Sequence, residues 1–307
     1  MACRKPSMRR LTLPAPFVTA SPAQALALAL VLTACAATPP EGPPRKETVM
    51  AVTSDNQLIR FNAGRPGRLL SRVALKGLQP GESVLGIDYR IAKGELYAVS
   101  SSNRLFRINP TTGVMDRVGQ PFAVPLTGTH FGVDFNPTVD RLRIVSDSGQ
   151  NLRVHPDTGA VVDGNPDMAG VQPDGPLAYV STDGSDAQRP VVVAAAYTYH
   201  KTDDKLTTNF ALDAATGTLA VQGSREGVAP VVSPNTGRLT RVGALEAGPF
   251  DRAAFDIADV SGAAFASLGT DDGTGSRWVE IDLATGRARV IGTVAGGAVV
   301  TGIAIEP

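Results

Sequence analysis

The chain has 307 residues, 43% hydrophobic and 19% charged, with 29 basic and 29 acidic side chains, a composition that excludes wholesale disorder, which needs low hydrophobicity and high net charge. No basic block or aromatic-interleaved basic stripe is present, which excludes nucleic acid as a partner on electrostatic grounds. The two cysteines, Cys3 and Cys35, fall at the N-terminal end, so the body has no thiol for a disulfide or a cysteine nucleophile.

Arg4, Lys5, Arg9 and Arg10, with no acid among them, precede the apolar run from Ala25 to Leu32, which ends at Leu32-Thr33-Ala34-Cys35. This order is that of a signal peptide over residues 1 to 34. The run is shorter than the roughly 20 apolar residues of a spanning helix. Leu32-Thr33-Ala34-Cys35 resembles a lipobox, in which the cysteine is acylated and becomes the new N-terminus; Cys35 is then the lipidation site of a lipoprotein carrying palmitate-type chains. Two or more chains, at about 0.8 kcal/mol per buried methylene, make a stable membrane anchor. Loss of the leader removes four of the 29 basic residues and leaves 25 against 29 acidic ones. Residues 35 to 48, with Pro39, Pro40, Pro43 and Pro44, form an extended spacer. The expected location is the bacterial cell envelope, with the leaflet unspecified.

From residue 49 onward, short Val, Ile, Leu and Phe runs alternate with Gly, Asn, Asp and Pro clusters, the punctuation of an all-β domain. One element recurs five times: a strand, then a turn ending in Gly67, Gly113, Gly159, Gly217 or Gly286. The first copy is degenerate. The others place Asn109, His155, Asp213 or Asp282 before the turn and Thr-Gly at its end, where glycine supplies the positive φ of a tight turn.

The glycines are 46, 46, 58 and 69 residues apart, against about 40 to 50 for a four-stranded propeller blade. A second strand recurs as Leu85–Tyr89, Phe131–Phe135 and Ala254–Ile257, and a related one, Thr301–Ile305, ends the chain with no partner strands after it. The first copy lacks such a strand before it, so the two ends complete one blade. The prediction for residues 49 to 307 is a single β-propeller of five blades, closed by the C-terminal strand pairing into the first blade. Six blades, with an extra one in the longest interval, and a β-sandwich are the alternatives.

The stretch from His130 to Arg143, continued by Ser146 to Arg153, resembles the bacterial family called domain of unknown function 4394. So do Gly94–Ala98, Ser233–Gly237 and Thr301–Pro307. The resemblance implies an exported, propeller-like domain and brings no established activity or catalytic residues.

Asp88, Asp134 and Asp256 hold the same place in three inner strands and are candidate ligands for calcium or another divalent cation in a central channel. The alternative is that each carboxylate bonds backbone of its own or the adjacent blade. Asn136, Asp140, Arg141, Arg143, Asp147, Gln150 and Asn151 form a candidate polar binding patch. Against it stand a cross-strand ion pair for the arginines and turn bracing for Asp147, in a hairpin tip resembling the Asp-box of other propellers. His130, His155 and His200 lack zinc-ligand spacing, and His155, replacing Asn109 of the previous repeat, fits a turn role. No catalytic motif is found. The expected function is a membrane-tethered binding or scaffold module, a monomer, contacting an envelope protein, a peptide or a glycan. A metal-assisted hydrolase or lactonase using the central carboxylates is the alternative. Cys35→Ser is expected to move the protein from the membrane to the soluble fraction; a variant retained on membranes as fully as the native chain rejects the anchor.

Overall fold

The computed structural model describes residues 42–180, 189–203 and 205–307. The predicted leader and Cys35 lie outside the described residues. Among the described residues no helix is long and apolar enough to cross a membrane.

The strands, in chain order, are β1 (Thr48–Thr53), β2 (Gln57–Asn62), β3 (Arg65–Ala74), β4 (Val84–Arg90), β5 (Glu95–Ser100), β6 (Arg104–Ile108), β7 (Met115–Val118), β8 (Phe131–Asn136), β9 (Arg141–Ser146) and β10 (Asn151–Val154). They continue as β11 (Ala178–Tyr179), β12 (Val192–Tyr197), β13 (Asn209–Asp213), β14 (Thr218–Gln222), β15 (Arg238–Ala244), β16 (Arg252–Ile257), β17 (Ala264–Gly269), β18 (Arg277–Ile281), β19 (Ala288–Thr293) and β20 (Val300–Ile305). They form five sheets: β20-β1-β2-β3, β4-β5-β6-β7, β8-β9-β10, β12-β13-β14-β15 with β11 on its outer edge, and β16-β17-β18-β19. The first strands of these sheets, β20, β4, β8, β12 and β16, neighbour one another in turn and close a ring. This is a five-bladed propeller and not a sandwich.

Ring closure follows the split ends of the sequence. β20 runs antiparallel to β1, with Val49 opposite Ile305 and Ala51 opposite Ile303, so the last strand is the innermost of the first blade. Each pair of adjacent blades shares one apolar core. Four of these cores hold 12 to 17 buried apolar residues; the core between the third and fourth blades holds six among the described residues. Trp278 belongs to the core between the fifth and first blades, where it stacks on Phe265 and meets Phe61 edge-on. Its indole N–H donates to the Ala63 carbonyl at 2.8 Å.

The recurrent turn has the predicted chemistry. Asn109 Oδ1 accepts from the Thr111 and Thr112 amides, His155 Nδ1 from Asp157, Asp213 Oδ1 from Ala215, and Asp282 Oδ1 from Ala284. Gly113, Gly159, Gly217 and Gly286 all have positive φ, from 61° to 84°. Gly67 lies inside β3 without it, which is why the first copy reads as degenerate. Copy four differs in place. In the other blades the turn follows the third strand, whereas Gly217 joins β13 to β14, the second and third strands of its blade. The uneven intervals arise from this one-strand offset and from the long connection into the fourth blade, which runs out to pair β11 with β15 in parallel; among the described residues no extra blade is present.

The domain also begins earlier than residue 49. Arg45 donates its N–H to Asn62 Oδ1 and accepts from Asn62 Nδ2, both at 2.8 Å, while its guanidinium grips Glu280 through two 2.7 Å bonds. The end of the predicted spacer is therefore fastened to the first and fifth blades.

Close approach at the axis requires small residues. A Cβ on Gly132 would collide with the backbone of Ala194 and Ala195, and one on Gly302 would lie 2.8 Å from the Ile87 amide. Gly132→Ala is expected to destabilise the protein by about 1–3 kcal/mol, the usual range for overpacking, in urea denaturation. Gly67→Ala, whose added carbon meets nothing closer than 3.9 Å, serves as the neutral control. Equal midpoints for the two variants would refute the tight axis.

Candidate functional site

The inner strand of each blade has an edge with no further strand to pair with, and its amides there need other acceptors. Three carboxylates supply them. Asp88 Oδ2 accepts from Phe135 of the next blade at 2.6 Å, Asp134 Oδ1 from Tyr197 at 2.9 Å, and Asp256 Oδ2 from Ile305 at 2.6 Å. The fourth and first blades carry Ala196 and Ala304 at the equivalent position, so the amides of Ile257 and Tyr89 get nothing from the preceding blade. Asp256 Oδ1 and Asp88 Oδ1 take these instead, at 2.6 and 2.7 Å. Five amides thus meet five carboxylate bonds.

The same three side chains converge, each offering an oxygen within 4.8 Å of the others. Calcium–oxygen distances of about 2.3 to 2.6 Å fit that spacing. The backbone bonding and the convergence anticipated as alternatives therefore coexist, because each oxygen has a second lone pair. Below the trio the axis narrows to a void of about 10 Å³ lined by Gly86, Gly132, Ala195 and Gly302.

The predicted polar patch does not form one surface. Asp140 is held by the buried guanidinium of Arg90, which also binds Asp157 and keeps that carboxyl well below the usual range. Asp147 and Gln150 lie at the opposite end of the blade, where Asp147 accepts from the amides of Thr129 and His130 and Gln150 Oε1 from that of Thr127. His130 Nε2 there approaches Asp271 at 3.3 Å. Asn151 is fully buried, and Arg143 is 1% exposed.

Arg143 is the hub of the interface with the small apolar core. Its guanidinium donates to Tyr197 Oη, Asn151 Oδ1 and Asn235 Oδ1 and lies 3.3 Å from Asp174, which also binds Arg153. Asn235 is delivered by the short 3₁₀ turn Pro234–Thr236, capped by Ser233 and ended by Gly237 at φ 71°. This explains the Ser233–Gly237 segment structurally. Asp174, Tyr197, Asn209 and Gln222 had no local signal: Asp174 and Tyr197 meet Arg143 from 31 and 54 residues away, and Gln222, which bonds Asn209, reaches Asn151 from 71 residues away.

Directly over this hub a cleft of about 480 Å³ opens between the third and fourth blades. Asn136 and Arg141 of the predicted patch line it, with Arg153, Asn209, Gln222 and Arg225. Arg141 donates to the carbonyls of Val139 and Asp140 and has no carboxylate partner among the described residues. Val139 and Val231 stand at the cleft 54% and 84% exposed.

The axial carboxylates face no cation among the described residues, and their protons are held tightly. Burial raises Asp88 and Asp134 well above the ordinary range, each further raised by its acidic neighbours. Burial lifts Asp256 to about 6, and burial with the charge of Asp256 lifts Asp259, absent from the sequence-based candidates, to about 7. The folded chain thus keeps protons that the unfolded chain releases above the ordinary value of 3.8. The contribution of these groups to stability is full below that value and is lost as pH rises towards about 7, with a slope of up to about 1.4 kcal/mol per pH unit per group. Urea midpoints measured in chelator should fall over this window, and Asp259→Asn should flatten its upper part. A pH-independent midpoint contradicts this electrostatic account.

No curated protein matches the chain. A solved structure of a structural genomics protein of unknown function from Bacteroides thetaiotaomicron is similar over 78% of this chain and 56% of that one, at 15% identity and a TM-score of 0.43. The chain thus spans little more than half the length of that protein. Residues 57–304 match the family described as Domain of unknown function (DUF4394), which covers the ring from β2 to β20, and the chain belongs to that family.

Proposed function

We propose that this protein is a lipid-tethered envelope lipoprotein whose propeller is a binding module, with its ligand seat in the cleft between the third and fourth blades. The cleft itself carries this reading. Its volume of about 480 Å³ falls within the roughly 300–1,000 Å³ of small-ligand sites. It is lined by polar groups converging from β8, β9, β13 and β14, and it is floored by a buried network that fixes their positions. A guanidinium without a carboxylate partner beside exposed apolar side chains offers both specificity and contact area. The anchor at Cys35 rests on the lipobox and keeps the seat at a membrane surface.

A second reading, a cation-dependent hydrolase, is favoured by the convergence of Asp88, Asp134 and Asp256 within 4.8 Å. The narrow axis below them weighs against substrate reaching them from that side.

Thermal melting of the full-length protein against envelope glycan and peptide fragments separates the two. The cleft reading expects stabilisation by at least one fragment class, lost in Val139→Trp, whose own melting point should stay within about 2 °C of native. No stabilisation by any fragment refutes the module. The hydrolase reading instead expects calcium to raise the melting point and Asp134→Asn to abolish that rise; an unchanged melting point dismisses it.

A further inference from the structure

The amides beneath the cleft are oriented by a chain of hydrogen bonds that starts at a group with only one polarity. Arg143 is a donor and never an acceptor, so Asn151 must turn its Oδ1 towards it. Asn151 Nδ2 is committed to the carbonyls of Gly175 and Pro234. Gln222 Nε2 therefore donates to the same Asn151 Oδ1 at 3.2 Å and to the Pro234 carbonyl at 2.8 Å. That leaves Gln222 Oε1 as the acceptor for Asn209 Nδ2, at 3.1 Å. The chain ends at Asn209, a cleft-lining side chain 2% exposed, whose Oδ1 has no partner.

A buried acceptor without a donor is costly, and here its orientation is enforced by Arg143 through three successive hydrogen bonds. What fills the cleft must bring an O–H or N–H to Asn209 and an acceptor, best a carboxylate, to Arg141. The wall charges decide between the two kinds of donor. Arg141, Lys205 and Arg225, none with a carboxylate partner among the described residues, outnumber Glu226 on the lining, while Arg153 is taken by Asp174, which disfavours an ammonium and favours a neutral hydroxyl. Val139 and Val231 offer apolar contact to a ring's C–H face.

Resting on the cleft as the ligand seat, we infer that its ligand is a carboxylated sugar, the carboxylate on Arg141 and a ring hydroxyl donating to Asn209 Oδ1.

Isothermal titration of the full-length protein in detergent with D-glucuronate, D-glucose, acetate and glycine tests this. Glucuronate is expected to bind at least ~10-fold more tightly than glucose or acetate, the low end for a hydrogen bond to a charged group. Arg141→Gln should erase the preference for glucuronate over glucose, and Arg141→Lys should restore part of it. Asn209→Asp, which puts a negative charge where a hydroxyl must donate beside a carboxylate, should weaken glucuronate by a similar factor. If Asn209→Asp fails to fold, the Arg141 pair alone decides. Equal binding of glucuronate and glucose, a preference unchanged in Arg141→Gln, tighter binding of glycine, or no binding of any probe overturns the inference. A non-acidic fragment that stabilises the protein and is blocked by Val139→Trp would overturn it while leaving the binding module standing; failure of every fragment would remove both.

Discussion

Five inner-strand amides, those of Tyr89, Phe135, Tyr197, Ile257 and Ile305, face an axis where no strand can pair with them, and the rest of the ring depends on how they are bonded. An unanswered buried amide costs about 1–3 kcal/mol, so five would cancel most of the roughly 5–15 kcal/mol by which a domain is stable. Asp88, Asp134 and Asp256 answer all five. Three of these bonds cross from one blade to the next, so the same contacts that satisfy the edge also set the spacing of the blades. That spacing is what admits only glycine at positions 132 and 302.

The number of carboxylates is itself a compromise. An aspartate in every blade would give each amide its own acceptor but would crowd five like charges around one axis, where burial already raises the three that are there. Two aspartates that serve two amides each, and one that serves one, complete the bonding with fewer charges. The alanines at 196 and 304 are then part of the arrangement, because the aspartate of the following blade turns its spare oxygen onto its own strand. The axis is best stabilised by protons held on the acids or by a cation shared among them, since either relieves like-charge repulsion.

Most of the ring was legible in the sequence because its signals are local. Turn glycines, the acceptor side chain two to three residues before the bonded amides, and the split first blade each lie within a dozen residues of their partners or at the chain ends. The fourth blade was less legible: its inner strand Val192–Tyr197 has no aspartate, and its strand–turn repeat sits one strand early. The candidate site was legible only in part. Asn136 and Arg141 do line the cleft, yet Arg143 reads as a surface arginine on an alternating strand and is buried, because Tyr197, Asp174 and Asn235 reach it from segments 31 to 92 residues away. No local pattern encodes a partner at that distance.

The interface between the third and fourth blades has exchanged apolar burial for directed hydrogen bonds. With six buried apolar residues among the described residues where the others have at least twelve, it is held by a guanidinium whose bonds have fixed geometry. An apolar core would close such a seam by filling it; here a hydrogen-bonded network of fixed partners forms the floor of the cleft. It also fixes side-chain amides that would otherwise rotate, so a ligand entering the cleft has less conformational entropy to remove on binding. At the weakest apolar seam among the described residues the walls are thus separated and their side-chain amides held in place, which is the physical condition for a selective seat.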